Sequence, residues 1–258
     1  MGIGCGSSIS IANLSKSFGS KQVLQGVNLD IPSGHAKAII GGSGSGKSVL
    51  LKCVIGLMTP DEGGVVKIGE KDYTYTKTLA RKELMADFGM LFQGGALFDS
   101  LTVWQNICFS LLQNRKIKKG DAKELAAEKL KMVGLSGNVL ELSPTDLSGG
   151  MQKRVALARA IANDPKVIFF DEPTSGLDPI TASGIAELIA SISERTGATI
   201  LTITHDMRCL QILSETTAML YQGKMIWDGL TKNLAHSENE YVDQFVTGKT
   251  TGPITPIT

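Results

Sequence analysis

The strongest indication of the architecture lies in one glycine-rich segment, Gly41-Gly42-Ser43-Gly44-Ser45-Gly46-Lys47-Ser48. It matches the pattern G-x-x-x-x-G-K-[ST], with an apolar strand-like run before it and helical spacing after it. In such a loop the backbone N–H groups surround a phosphate chain at the positive end of the following helix. We expect Lys47 to neutralise the β- and γ-phosphate oxygens and the Ser48 hydroxyl to bind Mg²⁺. The segment therefore predicts nucleotide binding.

Two other interpretations of this segment compete with a phosphate-binding loop. A flexible Gly/Ser turn would need no ligand, but the flanking strand and helix patterns argue against it. A dinucleotide-binding loop, G-x-G-x-x-G, fails because the pattern begun at Gly42 meets Lys47 at its last position.

An apolar run that ends in two carboxylates, Val167 to Glu172, is the second indication. The run predicts a buried strand, and such a strand end lies beside the phosphate-binding loop in this class of nucleotide hydrolase. Asp171 is therefore expected to bind Mg²⁺, and Glu172 to orient or deprotonate an attacking water. The alternative is a solvated acidic pair at an ordinary strand terminus.

A third segment, Leu147 to Gln152, opens a predicted helix. Ser148 is a suitable N-cap, and Gly149 and Gly150 leave the first N–H groups of the helix accessible to an anion. Taken alone, this pattern indicates only a helix start.

Periodicity along the chain favours an α/β fold. Residues 8–40 alternate as antiparallel strands, and the second half alternates helix and strand, which is typical of a largely parallel sheet. We expect an edge strand at Val65 to Ile68, and a helix at 121–133 that Asp121 caps. The Thr- and Pro-rich tail from 248 to 258 is predicted to be an extended arm.

Composition excludes several functional classes. Of the 258 residues, 42% are hydrophobic and 20% charged, and Lys+Arg 26 against Asp+Glu 25 leaves a net charge of +1. A charge so near zero gives no electrostatic reason to expect a nucleic-acid partner. The cysteines are widely spaced, so reduced thiols fit better than a disulfide framework or a metal site. We find no secretory signal and no apolar run of the roughly 18–20 residues that a membrane span needs.

Ser148 to Gln152 resembles the signature sequence of the ATP-binding-cassette (ABC) family, and the other motifs follow in the family's order. The resemblance covers nearly the whole chain. It implies an α/β P-loop NTPase (RecA-like) core with an N-terminal antiparallel β subdomain and a helical signature subdomain. The implied ATPase domain spans 8–247, with its core at about 8–92 and 163–230 and its helical subdomain at about 95–162. Residues 248–258 would be a C-terminal tail.

The resemblance also implies roles for single residues. Phe18 would stack on adenine, Gln93 would contact Mg²⁺ and water, and His205 would contact the γ-phosphate. Asp178 would lie in a loop that crosses a dimer interface. The implied catalytic residues are Lys47, Gln93, Glu172 and His205. The implied metal ligands are Ser48, Gln93 and Asp171. The implied ATP-binding residues are Phe18, Gly41, Gly42, Ser43, Gly44, Ser45, Gly46, Lys47, Ser48, Val49, Ser148, Gly149, Gly150 and Asp178.

The resemblance also implies a homodimer in which the signature residues of one chain face the ATP on the other, so that two chains enclose two ATP molecules. Residues 90–107, Asp178 to Thr181 and residues 244–254 resemble the Mla/Mce-type phospholipid-transport ATPases more narrowly. This implies lipid transport in a bacterial envelope, from the cytoplasmic face of the inner membrane. The implied partners are permease subunits, a lipid-binding Mce-type protein and a small STAS-domain protein, with no nucleic acid. The tail is then either a clasp on the partner subunit or a frayed terminus.

One departure from the narrower pattern is Gly94–Gly95, which predicts a more flexible loop after Gln93. Two alternatives of function also remain. A polar amino-acid import ATPase shares every catalytic motif, and a soluble single-cassette ATPase of iron–sulfur assembly is not excluded by length. A P-loop kinase or GTPase is disfavoured by Leu147 to Gln152 and by the lack of an N-K-x-D motif.

Overall fold

We describe residues 6–74 and 88–255 of the protein from a computed structural model. The strands are β1 (Ile9–Phe18), β2 (Lys21–Ile31), β3 (Ala36–Ile40), β4 (Val65–Ile68), β5 (Lys71–Asp72), β6 (Phe88–Leu91), β7 (Val167–Asp171), β8 (Thr199–Ile203), β9 (Thr216–Tyr221) and β10 (Lys224–Leu230). The α-helices are α1 (Lys47–Val54), α2 (Val103–Ile107), α3 (Phe109–Gln113), α4 (Lys119–Met132), α5 (Gly149–Ala160), α6 (Pro179–Thr196), α7 (Met207–Leu213) and α8 (Glu240–Thr247). Short 3-10 turns occupy Gly137–Val139, Pro144–Asp146 and Thr231–His236. Within the two described ranges, no helix combines the length and apolar character that crossing a bilayer requires.

The larger sheet has the strand order β10-β9-β3-β8-β7-β6. β3 lies parallel to β8 and β9, and β7 lies parallel to β6 and β8, whereas β9 and β10 form an antiparallel hairpin. β3 and β8 are buried along their whole length, as strands are when both faces of a parallel sheet are covered. The carboxyl ends of β3, β6, β7 and β8 meet at one edge of this sheet, where ligands of such folds bind.

Two apolar clusters flank the sheet at β7. Phe169 packs with residues of the N-terminal strands such as Ile11 and Leu29, whereas Phe170 packs with helical residues such as Leu157. Both phenylalanines have an exposed fraction of 0%, so each burial stabilises the fold by about 1.5–3 kcal/mol. Because alternate strand residues face opposite sides, this one strand anchors both halves of the core.

The smaller sheet is antiparallel, with the strand order β2-β1-β4-β5. The sequence predicts an edge strand at Val65–Ile68, and this placement is wrong. β4 pairs with β1 on one side and with the short β5 on the other. The residue pattern of a strand indicates which face is buried, but it does not identify the neighbouring strands.

The helix α4 begins earlier than the sequence indicates. Lys118 occupies the N-cap position without a side-chain hydrogen bond, and Asp121 lies inside the first turn. Asp121 therefore does not cap the helix; its charge stabilises the positive helix end from within. Acidic residues are favoured both at the N-cap and in the first turn of a helix, so the sequence pattern did not identify the first residue of α4.

The C-terminal tail folds back on α8 and is not an extended arm. The side-chain amide of Gln244 donates to the carbonyl oxygens of Lys249 at 3.1 Å and Ile254 at 2.9 Å. Its oxygen accepts a hydrogen bond from the Ile254 N–H at 2.7 Å. Ile254 and Thr255 line a depression together with residues 42–45 of the glycine-rich loop. One buried glutamine thus holds the tail beside that loop.

Candidate functional site

The glycine-rich loop connects β3 to α1 in a conformation that requires glycine. Gly41 has a φ of 150°, and a Cβ there would collide with the carbonyl oxygen of Leu220. The helix begins at Lys47, and Gly46 at its N-cap offers no side-chain hydrogen bond to the first N–H groups. Those N–H groups, at the positive end of the helix, are available to an anion.

The ammonium of Lys47 is held inside this loop. Its Nζ donates to the carbonyl oxygen of Gly41 at 2.7 Å and of Gly42 at 2.9 Å. Burial lowers the pKa of Lys47, while the charges of Glu172 and Asp171 oppose that shift. A positive charge with two neutral partners is well placed to neutralise phosphate oxygens.

The two carboxylates follow directly on one another at the end of β7. Burial raises the pKa of Asp171, and the neighbouring charge of Glu172 raises it further, against the opposing charges of Lys52, Lys47 and Lys153. Glu172 has a φ of 50°, a left-handed conformation that is unusual for a residue with a side chain. Such strain is concentrated at functional sites.

His205, which follows β8, contacts Glu172 through both its ring and its backbone. The Nδ1 atom of His205 lies 2.8 Å from Oε1 of Glu172. The backbone N–H of His205 donates to Oε2 at 3.3 Å. Both carboxylate oxygens of Glu172 therefore have a partner, which fixes the orientation of the carboxylate in the cavity.

One cavity at the sheet edge brings most of the predicted catalytic residues together. It is lined by Gly41, Gly42, Ser43, Gly44, Lys47, Ser48, Gln93, Asp171, Glu172, Ile203, His205 and Phe245. Ten of these twelve residues are predicted site residues: eight come from the loop and strand motifs, and Gln93 and His205 come from the family resemblance. Ile203 and Phe245 had no predicted role in the site. A phosphate donor and a water can meet here between a cation, two acids and a histidine.

A second depression lies on the other side of the glycine-rich loop. Its lining includes Ser45, Gly46 and Val49, together with residues 21–23 of β2. Phe18 lines neither of these two depressions. It is 48% exposed, with the Lys16 ammonium 5.6 Å from its ring centroid, so it is no core strand residue.

The predicted signature residues lie outside the cavity. Ser148 is the N-cap of α5, as predicted, and its Oγ accepts a hydrogen bond from the Met151 N–H at 3.3 Å. Gly149 and Gly150 begin that helix close to the start of α6. Asp178 caps α6 by accepting from the N–H groups of Ile180 at 3.0 Å and Thr181 at 3.1 Å.

The donor atoms in the cavity fit Mg²⁺. Ser48 provides a hydroxyl, Asp171 a carboxylate and Gln93 an amide oxygen, and all three line the same space. Mg²⁺ is normally bound by one or two protein oxygens together with waters and substrate phosphates. In the described residues no group of three or more His, Cys, Asp or Glu is placed to hold a metal ion.

The loop, the paired acids and the parallel sheet define a P-loop nucleotide hydrolase. A family profile described as "ABC transporter" matches residues 24–175, more than half of the chain. The protein therefore belongs to the ABC transporter family, and it is an ABC ATPase that binds ATP.

The similarity extends to named relatives and to solved structures. The "probable ribonucleotide transport ATP-binding protein mkl" of Mycobacterium leprae is 39% identical over 96% of this chain and 71% of its own length. The "intermembrane phospholipid transport system ATP-binding protein MlaF" of Haemophilus influenzae is 34% identical over 95% of this chain and 92% of its own length. A dimeric ATP-binding cassette in a post-hydrolysis state with ADP and Pi is 31% identical, with a TM-score of 0.79 over 86% of this chain and 98% of that one. The predicted fold class is confirmed.

Proposed function

We propose that this ABC ATPase powers phospholipid transport in a bacterial envelope and so maintains the lipid asymmetry of the outer membrane. The observation that carries the proposal is the extent of the similarity to the phospholipid transport protein of Haemophilus influenzae, 95% of this chain and 92% of that protein. Similarity over that length reaches beyond the catalytic motifs, which all ABC ATPases share. The mycobacterial relative is named for ribonucleotide transport, so ribonucleotides are the alternative cargo.

In the proposed reaction, residues 41–49 bind the triphosphate of ATP and Lys47 neutralises its terminal oxygens. Glu172 accepts a proton from the attacking water, and His205 holds the Glu172 carboxylate toward the γ-phosphate. Ser48, Asp171 and Gln93 would hold Mg²⁺, which would supply positive charge to offset the charge of the phosphates.

The proposed active unit is a homodimer. Ser148, Gly149 and Gly150 lie outside the cavity of their own chain, which supports a role at the nucleotide of a second chain. Asp178 would lie at the interface between the chains. Phe18 offers an exposed aromatic ring on which adenine would stack.

The proposed assembly also includes membrane permease subunits, a lipid-binding Mce-type protein and a small STAS-domain protein. The chain would bind the permease at the cytoplasmic face of the inner membrane. We assign 8–247 to the ATPase domain, with a core at about 8–92 and 163–230 and a helical subdomain at about 95–162, and 248–258 to the tail.

The experiment is purification of the tagged chain from membranes in detergent, followed by mass spectrometry of the proteins and lipids that co-purify. We expect a permease and enriched phospholipid, and ATP-dependent transfer of labelled phospholipid after reconstitution in vesicles. The matched control is Glu172→Gln, which should retain the partners and lose the transfer. Recovery of a soluble scaffold protein without a permease would contradict the proposal. ATP-dependent movement of an amino acid or a ribonucleotide in place of phospholipid would contradict it as well.

A further inference from the structure

Two cations of α5 bind three main-chain carbonyls of the loop that carries Gln93. Nζ of Lys153 donates to the carbonyl oxygen of Gln93 itself. The guanidinium of Arg159 donates to the carbonyl oxygens of Gly95 at 2.6 Å and Ala96 at 2.7 Å. The helix that begins at the signature residues is thus joined to residues 93–96 at two points, about 1.7 helical turns apart.

Lys153 is buried and Arg159 is half-buried, so neither cation is freely exposed to solvent. Lys153 has an exposed fraction of only 7%. Burial lowers the pKa of Lys153 and of Arg159. In the described part of the chain, their direct polar partners are loop carbonyls and not carboxylates. Burying a charge without a carboxylate partner costs free energy, and the hydrogen bonds to the loop carbonyls offset that cost.

The loop itself needs an external support. Gly95 and Ala96 have φ angles of 75° and 47°, two consecutive residues in the left-handed region, and alanine rarely adopts it. Arg159 binds the carbonyl oxygens of these same two residues. The sequence predicts a flexible segment at Gly94–Gly95, whereas the structure shows its main chain bound by a guanidinium.

We propose that Lys153 and Arg159 are positioning residues for ATP hydrolysis, which hold the loop so that Gln93 stays in the cavity with Asp171 and Glu172. The inference rests on the role of Gln93 in the proposed function. Because Ser148 caps α5, the same two contacts connect the Gln93 loop to the helix that carries the signature residues.

The test is a double-mutant cycle between Lys153→Met and Gln93→Ala in the full chain, measured as kcat from phosphate release. Methionine has a similar length and no charge, so it fills the buried site. We expect each single variant to lose about tenfold in kcat. Lys153→Met removes a hydrogen bond from a charged group, and Gln93→Ala removes the side-chain amide from the cavity. The double variant should lose no more than Gln93→Ala alone. ATP affinity, measured by calorimetry, should change less than about threefold, since Lys153 does not contact the glycine-rich loop, and Lys153→Arg should restore most of kcat.

Arg154→Leu is the matched control. Arg154 lies on the same helix and also binds a backbone carbonyl, that of Val133 at 2.7 Å, but this carbonyl is at the end of α4 and not in the Gln93 loop. Arg154→Leu should lower the melting temperature. Any fold-change that it causes in kcat should be independent of Gln93, so the double variant with Gln93→Ala should show the product of the two single fold-changes.

Three results would overturn the inference. If the effects of Lys153→Met and Gln93→Ala multiply, Lys153 acts independently of Gln93, for example through its charge on Asp171. If Lys153→Met does not fold, the cycle is repeated with Arg159→Lys. The lysine keeps the positive charge but cannot bind both carbonyl oxygens. We expect Arg159→Lys to lower kcat when Gln93 is present and to cause no further loss in the Gln93→Ala background. Unchanged kcat in Arg159→Lys, or multiplication with Gln93→Ala, then removes the positioning role. Wild-type kcat in Gln93→Ala alone would instead show that the proposed function of Gln93 has failed, which separates the two failures.

Discussion

Replacement of Glu172 by glutamine tests the chemistry proposed for the cavity with little change of shape. The glutamine keeps a side-chain oxygen that can accept from the backbone N–H of His205, which in the wild type donates to Oε2 of Glu172 at 3.3 Å. The free energy of unfolding should therefore fall by less than about 1.5 kcal/mol. It removes the basic oxygen that lies 2.8 Å from the His205 ring. General-base catalysis contributes about 10²- to 10⁴-fold, which corresponds to about 3–5 kcal/mol of the activation barrier. We therefore expect hydrolysis to fall by at least two orders of magnitude.

The assay combines phosphate release at saturating ATP with calorimetric ATP binding and size-exclusion chromatography. ATP affinity should remain close to wild type, because the glycine-rich loop is intact, and a dimer should accumulate since bound ATP is no longer consumed. The melting temperature provides the control for folding. Turnover at the wild-type rate in a folded variant would remove Glu172 from the catalytic role.

Three more predictions follow from the site. Lys47→Ala should abolish ATP binding in calorimetry while the melting temperature stays near wild type; normal ATP affinity would contradict the phosphate-binding assignment. Ser148→Arg should bind ATP normally but stop phosphate release, because the bulky side chain would enter the nucleotide site of the second chain; full activity would exclude a composite site. Asp171→Asn should raise the melting temperature at pH 7, since the folded state raises the pKa of Asp171 and its ionisation therefore costs stability above its unfolded pKa of 3.8. The gain should shrink as the pH falls toward 4, whereas a lower melting temperature at pH 7 would refute this electrostatic account.

Local motifs made the chemistry of the site predictable. A phosphate-binding loop uses consecutive residues, so its glycines, Lys47 and Ser48 can be recognised without any knowledge of the fold. The same holds for Asp171 and Glu172, because an apolar run followed by acids places them at a strand end. Parallel strands then bring these two local features to one edge, which is a general property of the architecture.

Contacts between distant segments were not predictable in this way. Lys153 looks like a solvent-facing residue of a helix, and only packing of α5 against β6 and the following loop brings it to Gln93. The strand order around β4 and the hydrogen bonds of Gln244 to the tail depend on tertiary structure in the same manner. The boundary of α4 failed for a different reason, since Asp121 suits either the cap or the first turn energetically.

The position of the tail has a practical consequence for spectroscopy. Thr255 lines a depression together with residues 42–45, so a dye attached at Thr255→Cys would sit next to the triphosphate position and report nucleotide occupancy as a change in emission. Cys53, Cys108 and Cys209 are buried, and burial raises the pKa of each thiol to about 11, which leaves them largely unreactive toward maleimides near neutral pH. With Cys5 replaced by serine, the introduced thiol would be the preferred site of labelling, and the occupancy of the ATPase could be followed in real time.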